Sequence, residues 1–528
     1  MLGVNPPPDP MPVKHTAPSL QRAAAPLALA LAAWLSGCAA PGVSSPAAAA
    51  LPTATVPAQW SGPAPGEPGG TAAPSPDPGA AALAGWWQRF NDPQLTALVA
   101  QALQNSTDVR SAQAALQQAR ALRDVSAARL APSLGVSASA QRSKSGNASA
   151  FNTFRAGFDA SWEPDVFGGQ RSAVNAASAD VRAAAASLDA VRVSLAAEVA
   201  ASYIELRGLE ARLRIAHSNL AAQAETLQIT RWRAQAGLAS SLDVEQAVAA
   251  SEQTAAQIPA LQTSRAQAAS SLAVLTAQAP GMLEAALAAG PAGLEGSVPQ
   301  PAGSLALAFP AETLRQRPDV QSAEHQVSAA LARVAQADAA RYPGFSLSGS
   351  LGLSALTLGG LTGGASVTNA LLAGVSASLL DGGAARAQVR AQEAALEGAR
   401  SSYQASVLAA LKDVEDALVA LRNDRERLAR LQSAAVAAGN ADLLARQRYA
   451  SGLIDFRSVL DTQRTLLSTQ DSVASTRASL STDHVRLYKA LGGGWTPDAA
   501  SVAQEAGRAG APADAGAAGQ GTAPGAGP

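Results

Sequence analysis

Residues 153–162 read TFRAGFDASW, and the alternation in this stretch decides what kind of object the chain builds. Phe154, Ala156, Phe158, Ala160 and Trp162 fall on one parity, and Arg155, Gly157, Asp159 and Ser161 on the other. A period of two is the mark of a strand with one apolar and one wet face. Three more stretches alternate in the same way. One runs through Leu134, Val136 and Ala138, another through Phe345, Leu347, Leu351 and Leu353 with serines between, and the last through Leu371, Ala373, Val375, Ala377 and Leu379. Strands of about ten residues have the length and pattern of an outer-membrane barrel wall. A soluble two-layer hairpin shares that pattern, so the surrounding chain has to decide between them.

Outward from the strands, the chain is written twice. DVRSAQ at Asp108 returns as DVQSAE at Asp319, and Pro132 returns as Pro343, each 211 residues on. Gly168-Gly169 matches Gly382-Gly383, and RWRAQAGL ending at Leu238 matches RQRYASGL ending at Leu453. Each half carries a helical segment (residues 109–129 in the first), two strands, a double glycine, a very long helix, a Gly-Leu turn and a returning helix (residues 240–278 in the first). Val199, Leu206, Leu213, Leu220 and Leu227 recur every seven residues, as do Val407, Val414, Leu421 and Leu428, which predicts helices packed along their length. Residues 169–236 as one helix would reach roughly 100 Å at 1.5 Å per residue. An antiparallel coiled coil without a pore explains the helices but leaves the strands without a purpose. Four strands cannot close a barrel in lipid, where about eight are needed and open edges strand backbone groups, so other copies of the chain must complete the wall.

The amino terminus reads as an export signal. Lys14, His15 and Arg22 precede an apolar run ending at Trp34, and Leu35-Ser36-Gly37 leads into Cys38, the single cysteine. The run is too short for a spanning helix, which needs about 20 residues. Leu-Ser-Gly-Cys resembles the bacterial lipobox, in which cleavage leaves a lipidated cysteine at the mature terminus; a stray cysteine lost with the signal is the plainer alternative. Ala39, with no aspartate beside it, points to the outer membrane of a Gram-negative cell. The expected organisation is a signal at residues 1–37, a Pro/Ala/Gly-rich tether at 38–82, a first repeat at 83–300, a second at 301–496 and a disordered tail at 497–528.

Composition narrows the function. Lys+Arg 39 against Asp+Glu 40 gives a net charge of -1, which offers nothing to nucleic acid. Aromatics at 4% against 48% hydrophobic residues suit close-packed, alanine-rich helices. Four scattered histidines predict no metal site, and with no phosphate loop, GxSxG or HExxH, neither an enzyme nor a cofactor is expected.

WWQRFNDPQL (86–95), WEPDVFGGQR (162–171), LLDGGAAR (379–386) and RYASGLIDFRSVLDTQR (448–464) carry a resemblance that covers residues 86–495. The chain resembles the TolC-like outer-membrane efflux proteins, and most of all their lipidated OprM/NodT branch. That resemblance implies an α+β membrane protein: a homotrimer whose copies give four strands each to one twelve-stranded β-barrel, continuous with a long antiparallel α-helical barrel across the periplasm. It implies the exit duct of a tripartite pump, working with a periplasmic adaptor and an inner-membrane pump and held in outer-membrane lipid by Cys38. A duct for type I protein secretion is the alternative, and a pore-free, lipid-anchored coiled-coil bridging protein a more remote one.

Sites follow from the same resemblance. Gly237, Leu238, Gly452 and Leu453 form the helix turns where the adaptor docks, although a glycine there is also an ordinary helix stop. Asp243, Tyr449 and Asp461 match gate positions. Asp243 has a second reading as the carboxylate of a Ser-x-x-Asp cap from Ser240, whereas Asp461 lies beyond the first turn of a helix starting near Asp455. Arg446, Arg448, Arg457 and Arg464 are candidate partners for these acids. Two positions depart from the family: Ile454 stands where an arginine is usual, and Pro164 where a leucine is usual.

Overall fold

The computed structural model describes residues 83–284, 297–302 and 316–495. The signal, Cys38, the tether and the tail lie outside the described residues.

The described chain contains α1 (Pro93–Asn105), α2 (Thr107–Ala128), β1 (Ser133–Ser143), β2 (Phe151–Trp162), α3 (Gly169–Gln235) and α4 (Ser241–Leu275). It then repeats the plan with α5 (Pro318–Ala339), β3 (Gly344–Ala355), β4 (Val367–Ser376), α6 (Ala384–Ala450) and α7 (Phe456–Ala490). The repeats agree in length as well as order. α2 and α5 both have 22 residues, α3 and α6 both 67, and α4 and α7 both 35. At 1.5 Å per residue each long helix is about 100 Å, and the two shorter helices of each half together reach roughly 86 Å. α3 packs against α2, α4, α5 and α7, and α6 against α5 and α7.

The double glycines start the long helices. Gly168 (φ +78°) and Gly383 (φ +88°) occupy the N-cap positions in left-handed conformations that favour glycine. Neither has a side chain to offer, so an upstream aspartate does the capping. Asp165 accepts the N–H of Gln170 at 3.1 Å and of Arg171 at 2.9 Å, and Asp381 those of Gly383 at 2.8 Å and Ala385 at 2.9 Å. Pro164 sits between β2 and α3, outside any ladder, so its missing N–H costs the sheet nothing and α3 begins at Gly169 as expected.

All four strands form one antiparallel sheet in the order β1-β2-β3-β4. Val136 faces Phe158, which faces Leu351, and Ala156 lies between Ala138 and Leu353, so the apolar parities of neighbouring strands share one face. The other face is built mostly of serine, glycine and threonine. β4 differs from expectation: it starts at Val367 and stops at Ser376, leaving Leu379 outside the sheet and 97% exposed. Alternation continues past the last ladder bond because the following residues already lead to the Asp381 cap, and hydrogen bonding rather than hydropathy ends a strand. Among the described residues no helix is long and apolar enough to cross a membrane.

The helical core centres on α1 and the middle of α3. Trp86 stacks on Tyr488 with centroids 5.2 Å apart, beside fully buried Leu95, Val99, Tyr203, Ile204 and Leu206. Asp92 caps α1 through the N–H groups of Gln94 and Leu95 and accepts the Tyr203 hydroxyl at 2.8 Å, while Arg207 donates to that hydroxyl at 2.9 Å and to Glu210 at 2.9 Å. Every charge in this buried knot has a partner, the condition for burying it cheaply. Gly208 lets α3 approach α7 closely: a β-carbon there would lie 2.8 Å from the Ala478 methyl.

Candidate functional site at the hairpin tips

The α3–α4 and α6–α7 hairpins turn by the same device. Gly237 and Gly452 both have φ +73°. The Gly237 N–H donates to the Ala234 carbonyl at 3.0 Å and the Leu238 N–H to the Arg233 carbonyl at 2.8 Å; Gly452 donates to Tyr449 and Leu453 to Arg448, each at 2.9 Å. This double bond pattern is a Schellman stop, which needs the left-handed residue at its centre. The stop turns Leu238 and Leu453 outward, 68% and 73% exposed. All four expected docking residues therefore occupy equivalent places in two matching turns.

The helices restart with caps that are mirror exchanges of each other. Ser240 accepts the Asp243 N–H at 3.2 Å, and the Asp243 carboxylate accepts the Ser240 N–H at 2.9 Å and its hydroxyl at 2.8 Å, a complete capping box. In the second hairpin the carboxylate comes first: Asp455 accepts the Ser458 hydroxyl at 2.6 Å and its N–H at 3.1 Å. Those two hydrogen bonds hold the Asp455 carboxyl below its ordinary range.

Tyr449 lies at the centre of the tips, buried with Ala247, Ala250, Ala445, Phe456, Val459 and Leu460. Its ring meets Phe456 at 5.4 Å between centroids, and the Arg233 guanidinium sits over the ring at 4.5 Å. Arg233 also donates to the backbone carbonyls of Tyr449 and of Ala450, the latter at 3.3 Å. The Tyr449 hydroxyl is buried and makes no hydrogen bond among the described residues. Tyr449 thus contributes its ring and carbonyl within one chain. Ile454 packs against the same cluster.

Asp461 is exposed, with Arg464 no nearer than 4.0 Å. Arg446 pairs elsewhere: it meets Asp442 at 2.8 Å, and burial pushes that carboxyl above its ordinary value despite the nearby guanidinium. Asp243 is one turn from Ala247, and Asp461 adjoins Leu460, so both acids flank the Tyr449 cluster.

Behind the tips, α3 carries a polar ladder that apolar heptad reading passes over. Arg212 bonds Asp471 at 2.6 Å, Asn219 bonds Gln470 at 2.8 Å, Thr226 accepts from Gln463 at 3.0 Å, and Arg233 reaches Tyr449. These four α3 positions recur every seven residues. Val199 and Leu206 are fully buried as expected, but Leu213, Leu220 and Leu227 are only half-buried, and the polar residue before each of the last three heptad leucines is the one that crosses to α7. The upper seam is therefore apolar, the stretch behind the tips is joined by polar pairs, and the tips close on the apolar Tyr449 cluster.

Comparison with known proteins agrees with this architecture. The model of the family described as "Outer membrane efflux protein" matches residues 98–278 and 309–493, two segments that begin 211 residues apart. The chain is 32% identical over 433 residues to nodulation protein T of Rhizobium leguminosarum bv. viciae, covering 81% of this chain and 88% of that one. It is 31% identical over 418 residues to the toluene efflux pump outer membrane protein TtgF of Pseudomonas putida, covering 78% and 85%. Among solved structures, the outer-membrane channel OprN superposes with a TM-score of 0.74 at 34% identity over 78% of this chain and 93% of that one. The long helices and the antiparallel four-stranded sheet of this chain match the α-helical barrel and β-barrel architecture of the solved structures. The chain belongs to the outer membrane efflux protein family, in its TolC-like OprM/NodT branch, and is the outer-membrane exit duct of a tripartite efflux pump.

Proposed function

We propose that three copies of this chain assemble into one duct and that the hairpin tips are its periplasmic gate and docking end. The observation that carries the reading is the four-stranded sheet: one face is apolar, and among the described residues both outer strands, β1 and β4, lack a partner on one side. In lipid those edges need neighbours, and copies of the same chain supply them by symmetry. Cys38 carries the lipid once residues 1–37 are removed, residues 38–82 tether it to the body, and the repeats at 83–300 and 301–496 form the duct ahead of a tail at 497–528.

At the closed end, Asp243, Tyr449 and Asp461 repeat around the axis. The exposed Asp461 carboxylates form an acidic ring that favours cations. A buried hydroxyl without a partner, such as that of Tyr449, is a group a neighbouring copy would satisfy. Leu238 and Leu453, displayed on rigid Schellman turns with Gly237 and Gly452, present an apolar surface to the adaptor. Opening separates the hairpins at the tips and along the polar pairs behind them, while the apolar seam above stays closed. The duct performs no covalent step, so no residue is assigned to catalysis.

The test is planar-bilayer conductance of the detergent-extracted protein, with cross-linking to count subunits and mass spectrometry of the amino-terminal peptide. Trimers with small, cation-preferring conductance and a lipidated Cys38 support the reading. A non-conducting monomer refutes it.

A further inference from the structure

The water-facing side of the sheet is almost free of charge, and its exceptions lie on one strand. Across all four strands, the parity opposite the apolar face contains only two charged residues, Arg155 and Asp159. Arg155 lies between Ser139 and Ser354, and Asp159 between Gly135 and Ser350. Both are exposed. The Asp159 carboxylate accepts the Ser137 hydroxyl at 2.6 Å, which holds it against the wall. Four residues along a strand are about 13 Å, too far for the two to form an ion pair. β2 runs from the hairpin loop towards α3, so Arg155 is nearer the exterior and Asp159 nearer the helices.

We propose that Arg155 and Asp159 set the charge selectivity of the barrel end of the duct, as a cationic belt lying outside an anionic one. The proposal rests on the trimeric duct reading, in which each side chain repeats around the axis. Twelve strands spaced about 4.8 Å and tilted about 40° enclose a backbone cylinder roughly 24 Å across. Wall charges then lie about one Debye length, ~10 Å at 0.1 M salt, from any ion on the axis. At that tilt roughly 13 Å along a strand is about 10 Å along the axis, so an ion meets the belts one after the other. At 1 M salt the screening length falls to about 3 Å and both belts fade from the axis. Neutral serine and glycine elsewhere on this face leave no competing charge on the strands. These belts are separated from the acids at the tips by the length of α3.

The experiment is the reversal potential of the full-length protein in a planar bilayer under a potassium chloride gradient near 0.1 M, repeated near 1 M. Asp159→Asn is expected to move the cation-to-anion permeability ratio towards anions by about threefold and Arg155→Gln to move it the other way, with both shifts collapsing at high salt. Asp159→Glu, which keeps the charge, is expected to keep the native ratio. Measurement is made in the native and the Asp461→Ala backgrounds, so that a restrictive tip does not mask the barrel. Unchanged ratios in both backgrounds overturn the proposal and leave the duct reading standing. A native protein that conducts no ions overturns both.

Discussion

The Arg233 guanidinium lies 4.5 Å from the centre of the Tyr449 ring and donates to the carbonyls of Tyr449 and Ala450, so one side chain from the first hairpin holds the last turn of the long helix of the second. The Tyr449 carbonyl already accepts the Gly452 N–H of the Schellman stop, and Arg233 adds a second, charged donor there and another at the Ala450 carbonyl. Arg233→Ala is expected to cost on the order of 1–2 kcal/mol, combining a part-buried cation–π contact with charge-assisted hydrogen bonds. It should also raise single-channel conductance several-fold. Arg233→Lys recovers little of either, because an ammonium cannot reproduce the planar fork. Thermal melting together with bilayer recording checks both outcomes.

Two acids at the tips should separate by what their removal does. Asp243 is committed to a capping box, so Asp243→Ala is expected to lose about 1 kcal/mol of stability. Asp461 is exposed and only loosely approached by Arg464, so Asp461→Ala should leave melting unchanged within about 0.5 kcal/mol. Its effect is expected in conductance, which rises as the acidic ring is lost; an unchanged conductance would remove Asp461 from the constriction.

Gly208 tests the close approach of α3 and α7. With the Ala478 methyl 2.8 Å from where a β-carbon would stand, Gly208→Val must push the helices apart and should cost about 1–3 kcal/mol. Pairing it with Ala478→Gly, which vacates part of that space, is expected to recover some of the loss in a double-mutant cycle.

His484 predicts a pH dependence. Burial, reinforced by the charges of Arg425 and Arg89, lowers its pKa to about 4. The unfolded chain takes up this proton near pH 6.5 and the folded chain only near 4, so stability present above the unfolded pKa is lost as pH falls between those values. The loss attributable to His484 is on the order of 2 kcal/mol after allowing for its partial exposure. Asp483, pushed up by burial, works in the opposite direction. Subtracting the denaturation profile of His484→Gln from that of the native protein isolates the histidine.

Much of this architecture is legible in the sequence because membrane and helix physics leave periodic marks. Phe154, Phe158 and Trp162 share a parity because one face of the sheet must be apolar, and the doubled glycines stand where only left-handed caps fit. What stays hidden depends on packing between segments distant in sequence. Arg233 is 216 residues from Tyr449, and nothing local distinguishes it from a solvated arginine at a helix end. The ladder of Arg212, Asn219 and Thr226 looks like a wet surface when each residue is scored by hydropathy, and only the position of α7 shows it to be a seam. α1 is hidden for a different reason: it is short and only its first turn falls within the 86–95 motif, although Asp92-Pro93 is a standard start signal for a separate helix.

The equal lengths of the paired helices make the molecule a ruler marked twice. Each half measures the same reach from sheet to tip with 67 residues going and 35 returning. An insertion in one half alone would leave one tip standing proud of the other and shift Arg233 off Tyr449. Length can therefore change only in matched steps, and the least disruptive step is a whole heptad added to or removed from both arms of both hairpins at once. Such a ruler ties the gap this duct can span to a discrete series of values, and any partner that meets its tips has to keep the same measure.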